Sequence, residues 1–225
     1  MNAASEGHFV PLTTYKEYPV DVMRKRVRDF YTVMKRRRTI RTFSDRPVPL
    51  DILEDCIRTA ARAPSGANMQ PWTFVIVSRQ EVKERIRLKS EEVEKEFYGG
   101  ERTRQWVRAL APLGTSQQKP FLTTAPYLIA VFAQRHGYYP NGEIKKHYYV
   151  QESVGIATGM LITAIHSAGL ASLTYTPAKM GFLNRILLRP SNEKPFMILV
   201  VGYPAEDTTV PDLDKKNLED VAVFL

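Results

Sequence analysis

Four short apolar runs constrain this chain more than any other feature: WTFVIVS at 72–78, YLIAVFA at 127–133, ASLTYT at 171–176 and FMILVVGYP at 196–204. Each is rich in β-branched and aromatic residues, and each is too short for a buried helix. They therefore predict strands buried on both faces. Covering both faces of such a sheet takes helices, and the stretches between the runs have helical periodicity. In VDVMRKRVRDFYTVMKRR, Val20, Met23, Val27, Phe30 and Val33 recur at three- and four-residue steps, one apolar stripe with cations around it. Pro47 and Pro49 precede Leu50, Leu53, Ile57 and Ala60 at the same spacing, and Pro64 and Gly66 stop that second helix. A charged helical stretch, QEVKERIRLKSEEVEKEFY, is broken at Gly99-Gly100 and resumes around RQWVRALAPL. The stretch YYVQESVGIATGMLITAIHSAGL carries Gly155, Ala157, Gly159 and Ala164, a small-residue surface suited to close backbone approach in the interior or across a dimer interface. Gln151, Glu152 and His166 keep it from being a membrane span.

With 225 residues and 44% hydrophobic content, the chain is long enough for one sizeable core. No repeat or linker divides it, so one domain over 1–225 is expected, with a polar leader at 1–16. The net charge of +8 allows anionic partners, but 24 acidic residues interleave with 32 basic ones and form no basic tail. Cys56 is the only cysteine, which excludes an intrachain disulfide, and no Cys/His spacing suggests zinc. His136, His147 and His166 have no metal-ligand spacing either. The leader lacks a signal-peptide core and no apolar run approaches a span's length. A soluble, cytoplasmic protein is expected.

Three separated segments carry groups that can do chemistry. Arg37-Arg38-Thr39-Ile40-Arg41 places guanidinium forks and a hydroxyl at a helix-to-loop junction, where they can surround a phosphate. Alone, the same run is equally a solvated helix end. APSGANMQPW at 63–72 is a turn in which Gly66 lets a flat ligand approach, and Ser65, Asn68 and free amides can meet a heterocycle's polar edge. Alone, it is also an ordinary connection. In LTYTP at 173–177, Thr174 and Thr176 alternate in direction with Tyr175, and a threonine pair in a strand commonly does no more than pack.

Taken together, these segments resemble the FMN-dependent nitroreductase superfamily, in which an arginine run holds the flavin phosphate and a PSG turn carries the ring. TAPYLI, SAGL, VGYP and TVPDL, in order from about Tyr15 to the C-terminus, are similar to the iodotyrosine deiodinase family within it. The resemblance implies an α+β nitroreductase-like fold, with a central mixed, mainly antiparallel sheet flanked by helices in an intertwined homodimer. It implies FMN as cofactor, held by Arg37, Arg38, Thr39, Ile40 and Arg41, by Ser65 and Gly66, and by Thr174, Tyr175 and Thr176. Thr176 is then the catalytic donor to flavin N5. Lys215 stands where the animal enzymes carry an arginine closing the phosphate site, and Tyr175 stands where they carry a threonine.

The same resemblance turns the charged stretch into an active-site lid over 89–119. Glu94, Tyr98 and Lys119 would hold the ammonium and carboxylate of a halotyrosine, and the Ala67 amide would meet its phenolate oxygen. Without the family, EEVEKEFY reads as a solvated helix. Residues 205–225 become an extension that embraces the partner subunit. The implied reaction is reductive removal of iodide from mono- and diiodotyrosine, extending to bromo- or chlorotyrosine. Its electrons would come from a reductase or a reduced nicotinamide, and neither nucleic acid nor membrane would take part. A general nitroreductase acting on nitroaromatics or quinones would share the flavin pocket without needing Glu94, Tyr98 and Lys119 together. A nucleic-acid-binding protein using KRRRTIR would bind with steep salt dependence and carry no chromophore.

Overall fold

The computed structural model describes residues 7–225, so the first six residues of the polar leader lie outside the described residues. Two compact units are present, Met1–Arg36 and Arg37–Leu225. The first contains helix α1 (Val20–Lys35), with Asp21 in its first turn and Lys35 in its last, the placement that suits the helix dipole. Arg36 caps the C-terminus of α1, so the basic run begins where the helix ends.

The second unit begins with the arginine run and continues into α2 (Leu50–Ala60), whose N-cap is Pro49. Proline costs nothing there, because the first amides of a helix have no intrahelical acceptor. Strand β1 (Trp72–Val77), the long α3 (Gln80–Gly99), α4 (Arg104–Leu110) and the single turn α5 (Phe121–Thr124) follow. Then come β2 (Tyr127–Gln134), the hairpin strands β3 (His136–Tyr138) and β4 (Ile144–Lys146), and α6 (Val150–Ser167). Strand β5 (Ala171–Tyr175), α7 (Phe182–Ile186) and β6 (Glu193–Gly202) complete the regular elements of the core.

All four expected strands form one sheet, in the order β1-β2-β6-β5, with every neighbouring pair antiparallel. A parallel bridge between Thr39 and Ser172 adds the arginine run to the β5 edge. Helices cover both faces, and the strands alternate accordingly. Leu128, Ala130 and Phe132 of β2 join Ile86 of α3, Leu122 of α5 and Leu183 of α7 on one side. Ile129 of β2 meets Leu53 and Cys56 of α2 and Leu161 and Ile165 of α6 on the other, where Val131 and Ala133 pack on Val154 and Ala157. One-residue alternation is what a strand covered on both faces must show.

Strand β6 begins three residues earlier than the apolar run FMILVVGYP suggests. It reaches back through Pro195, which tolerates the position because the register against β2 shifts there. Lys83, buried on α3, donates from Nζ to the carbonyls of Thr123 (3.1 Å) and Ala125 (2.8 Å) at the end of α5. A cation on terminal helix carbonyls is favourable, and here it holds α5 against α3 below the candidate site.

Candidate functional site

A cavity of about 220 Å³ opens where the C-terminal half of α3, α4, the start of α5 and the end of β5 converge. Arg41, Glu94, Tyr98, Lys119, Thr174, Tyr175 and Thr176 all line it, so one cavity collects residues from three of the four candidate segments. The turn at 65–67 supplies none of its lining.

The arginine run reaches the cavity by pairing with the β5 edge. The Ile40 amide donates to the Ser172 carbonyl (3.3 Å), and farther on the Ser44 amide donates to the Tyr203 carbonyl (2.9 Å). Arg37, Arg38, Thr39, Ile40 and Arg41 are all half-buried. Burial lowers the pKa of Arg41 against the raising influence of Tyr98, though guanidinium stays charged at any working pH. Among the described residues, no ion pair includes Arg37, Arg38 or Arg41. A half-buried set of guanidinium groups without acidic partners fits a phosphate, which supplies the missing charge and accepts bidentate bonds. Arg38 also donates from Nη2 to the Pro211 carbonyl, which brings the C-terminal segment alongside the run. Lys215, on that segment, is exposed.

Thr174 near the end of β5 and Thr176 just after it are exposed, and Tyr175 between them is buried, the alternation of an extended chain. All three line the cavity, the threonines from exposed positions and the tyrosine from a buried one. Its Oη donates to Glu94 Oε1 (3.3 Å), and its ring meets Phe121 edge-on at 5.6 Å.

Glu94 and Lys119 form the electrostatic centre of the cavity. Lys119 Nζ lies 3.1 Å from Glu94 Oε2, with the two side chains 3% and 9% exposed. Burial lowers the Lys119 pKa, Arg41 adds to this, and the carboxylates of Glu94 and Glu91 oppose it. Lys119 Nζ also donates to the Ser116 carbonyl and sits 5.4 Å from the centre of the Tyr98 ring. The solvated-helix reading of EEVEKEFY therefore holds for Lys95 and Glu96, which are exposed, but not for Glu94.

Several residues that shape the site were not singled out from the sequence. Glu91 Oε1 accepts from the Lys119 amide (2.7 Å) and from Arg87 Nε (2.8 Å), clamping the two ends of the 89–119 segment together. Phe97, Leu110 and Thr115 line the cavity, as does Trp106, which the sequence marks as a core or lid packing residue and which stands edge-on to Phe97 at 5.3 Å. The spacing of Trp106 and Leu110, four apart on α4, was the available signal.

The 63–72 turn is built separately. Ala67, Asn68 and Gln70 all adopt positive φ, and the Gln70 amide donates to Ser65 Oγ (2.9 Å). Gly66 is required, because a Cβ there would stand 2.7 Å from the Tyr148 carbonyl oxygen. Its amide donates to Ser153 Oγ of α6 (3.3 Å), so the turn is fixed to α6. No cluster of three or more metal-ligating side chains occurs among the described residues. No helix among the described residues is long and apolar enough to cross a membrane.

Residues 34–203 match the Nitroreductase family. The chain is 48% identical over 215 residues to iodotyrosine deiodinase of Haliscomenobacter hydrossis, covering 96% of each. It is 44% identical over 211 residues to iodotyrosine deiodinase 1 of Homo sapiens, covering 93% of this chain and 73% of that one. A crystal structure of oxidized iodotyrosine deiodinase bound to FMN and 3-iodo-L-tyrosine superposes with a TM-score of 0.72 at 33% identity, covering 87% of this chain and 100% of the other. The family match, the sequence likeness and the structural superposition agree: the chain belongs to the nitroreductase family, in its iodotyrosine deiodinase branch.

Proposed function

We propose that this protein is an FMN-dependent reductive dehalogenase that releases iodide from mono- and diiodotyrosine to leave tyrosine. The observation that carries this reading is the buried Lys119–Glu94 pair in the wall of the cavity that Thr174 and Thr176 also line. A nitroaromatic or a quinone has no use for two sealed opposite charges. An amino acid brings both counter-charges, and pairing each end leaves no buried ion alone.

In this reading Glu94 takes the substrate ammonium, Lys119 its carboxylate, and Tyr98 closes over it from the 89–119 lid. Arg37, Arg38, Thr39, Ile40 and Arg41 hold the FMN phosphate and ribityl chain, with Lys215 adding charge from the C-terminal segment. Bound FMN supplies the two electrons that, with one proton, replace iodine by hydrogen on the ring. Thr174 and Thr176 lie along the flavin, and the Thr176 hydroxyl donates to its N5.

Ser65, Gly66 and the Ala67 amide complete the site around the flavin edge and the substrate phenolate. Because their turn lines no part of the cavity within one chain, a homodimer in which a second copy supplies it accounts for the division. Exposed Leu213, Leu218, Val221 and Phe224 on the C-terminal segment suit an extension that wraps a second copy. The electrons come from a reductase or a reduced nicotinamide, and the place of work is the cytoplasm.

The test is iodide release. Protein reconstituted with FMN, reduced anaerobically and mixed with 3-iodotyrosine is expected to yield iodide and tyrosine in equal amounts. Efficient nitroreduction without iodide release would return the chain to the general nitroreductases. Colourless protein that binds no FMN would remove both readings.

A further inference from the structure

We propose that Tyr175 is a positioning residue for substrate selection: its hydroxyl holds the Glu94 carboxylate in the orientation that receives an ammonium group. The inference rests on the deiodinase reading and adds a residue with a different role from its neighbours Thr174 and Thr176, which that reading places along the flavin.

The two oxygens of Glu94 have separate partners. Oε2 faces Lys119 Nζ at 3.1 Å, and Oε1 accepts from Tyr175 Oη at 3.3 Å. A carboxylate held at one oxygen only can rotate about its last bond, whereas one held at both is fixed in plane. When a substrate carboxylate draws Lys119 away, the tyrosine is the partner that stays. At 3.3 Å the bond is long for a hydroxyl on a carboxylate, and such contacts commonly tighten once the ligand is bound.

Tyr175 is itself well anchored. It is 8% exposed, its ring packs edge-on against Phe121, and Lys119 Nζ lies 5.6 Å from the ring centre. Burial, and then the negative charge of Glu94, push the phenol far above its usual pKa, so the hydroxyl keeps its proton. Ser90, one turn before Glu94 on α3, is fully buried beneath the same hydroxyl. The position is thus a fixed donor on a rigid strand, aimed at a carboxylate carried by the lid.

The experiment compares 3-iodotyrosine with 2-iodophenol, which lacks the amino acid ends, in equilibrium titrations of the FMN-loaded protein. Tyr175→Phe keeps the ring and removes only the donor. It is expected to raise the Kd for 3-iodotyrosine about tenfold, the loss typical of one hydrogen bond to a charged acceptor. The Kd for 2-iodophenol and the FMN content should stay within about twofold of wild type. In a Glu94→Gln background, Tyr175→Phe should change 3-iodotyrosine affinity by less than about twofold, because the two side chains act as one unit. An unchanged 3-iodotyrosine Kd in Tyr175→Phe overturns the proposal, as does equal weakening of both ligands, which would reduce Tyr175 to packing. If Glu94→Gln alone leaves 3-iodotyrosine binding intact, the deiodinase reading of Glu94 fails, and the role of Tyr175 fails with it.

Discussion

Lys119 Nζ and Glu94 Oε2 are 3.1 Å apart, joined between α3 and the segment before α5 and almost sealed from solvent. An isolated buried pair of this kind contributes little net stability, because desolvation of both ions offsets their attraction. Its value lies in charge balance. Each of the two side chains neutralises the other, so neither is left as an unpaired buried ion.

This balance predicts that stability and binding separate on mutation. Glu94→Gln or Lys119→Met alone should cost roughly 3–5 kcal/mol in urea unfolding, because each leaves one buried charge unmatched. The double substitution should recover most of that loss while 3-iodotyrosine binding stays weak. If the double variant binds 3-iodotyrosine as well as wild type, the pair is structural and the substrate is held elsewhere.

A second expectation concerns the arginine run. Arg37 and Arg38 are half-buried and have no acidic partner among the described residues, so removing either should release FMN. Arg38→Ala is expected to weaken FMN retention by about tenfold or more, the cost of one or two charge-assisted bonds to phosphate. Arg26, which lies over the Tyr18 ring at 4.5 Å on α1, is the control, and Arg26→Ala should leave the flavin in place. Equal loss of flavin from both would show that the effect is general charge and not a phosphate site.

Much of this architecture was legible because the four strands are so apolar. The unbroken apolarity of YLIAVFA could not show which helices covered each face, yet it required that both be covered, and they are. The hairpin at 136–146 went unread although Asn141-Gly142 is a good turn signal, because its strands bear no apolar face to mark them. At the site, alternation separated Tyr175 from Thr174 and Thr176. What Tyr175 meets was not readable, since Glu94 is brought to it from 81 positions away. Spacing along one helix likewise could not reveal that Glu94 is buried while Lys95 beside it is exposed. That difference depends on where β5 passes under α3.

The third prediction tests the second copy. Gly155 and Gly159 lie one turn apart on α6, and within one chain a Cβ added at either would meet nothing within 4 Å. Glycine inside a helix costs roughly 0.5–1 kcal/mol relative to alanine, so two of them on an open face need a reason outside the single chain. Close approach of a second copy supplies one. Gly159→Leu is expected to shift the protein from dimer to monomer in size-exclusion chromatography with light scattering, and to weaken FMN retention with it. An intact dimer in Gly159→Leu would move the interface away from this face of α6.

The last prediction concerns acid stability. Glu193, buried at the start of β6, accepts from Arg189 Nε (2.7 Å) and Nη2 (2.8 Å) and from Thr73 Oγ1 (2.7 Å) of β1. Gln134 at the end of β2 donates to the same Thr73 hydroxyl (3.0 Å), so one carboxylate ties three strands together. Burial works against its charge, but the Arg189 and Thr73 bonds outweigh burial and hold its carboxyl below the ordinary value of 4.5. A carboxylate whose folded pKa is depressed contributes stability that is fully present above its unfolded pKa and is lost as pH falls through the folded one. The urea midpoint should therefore decline as pH drops from about 5 towards 3. Glu91, likewise lowered by the Lys119 amide and Arg87 against its own burial, adds a decline of the same sign. Glu193→Gln isolates the first contribution: it should be less stable than wild type at neutral pH by about 2–3 kcal/mol, and the gap should narrow in acid. A gap that stays constant with pH would show that Glu193 holds the strands by its hydrogen bonds alone, with no contribution from its charge.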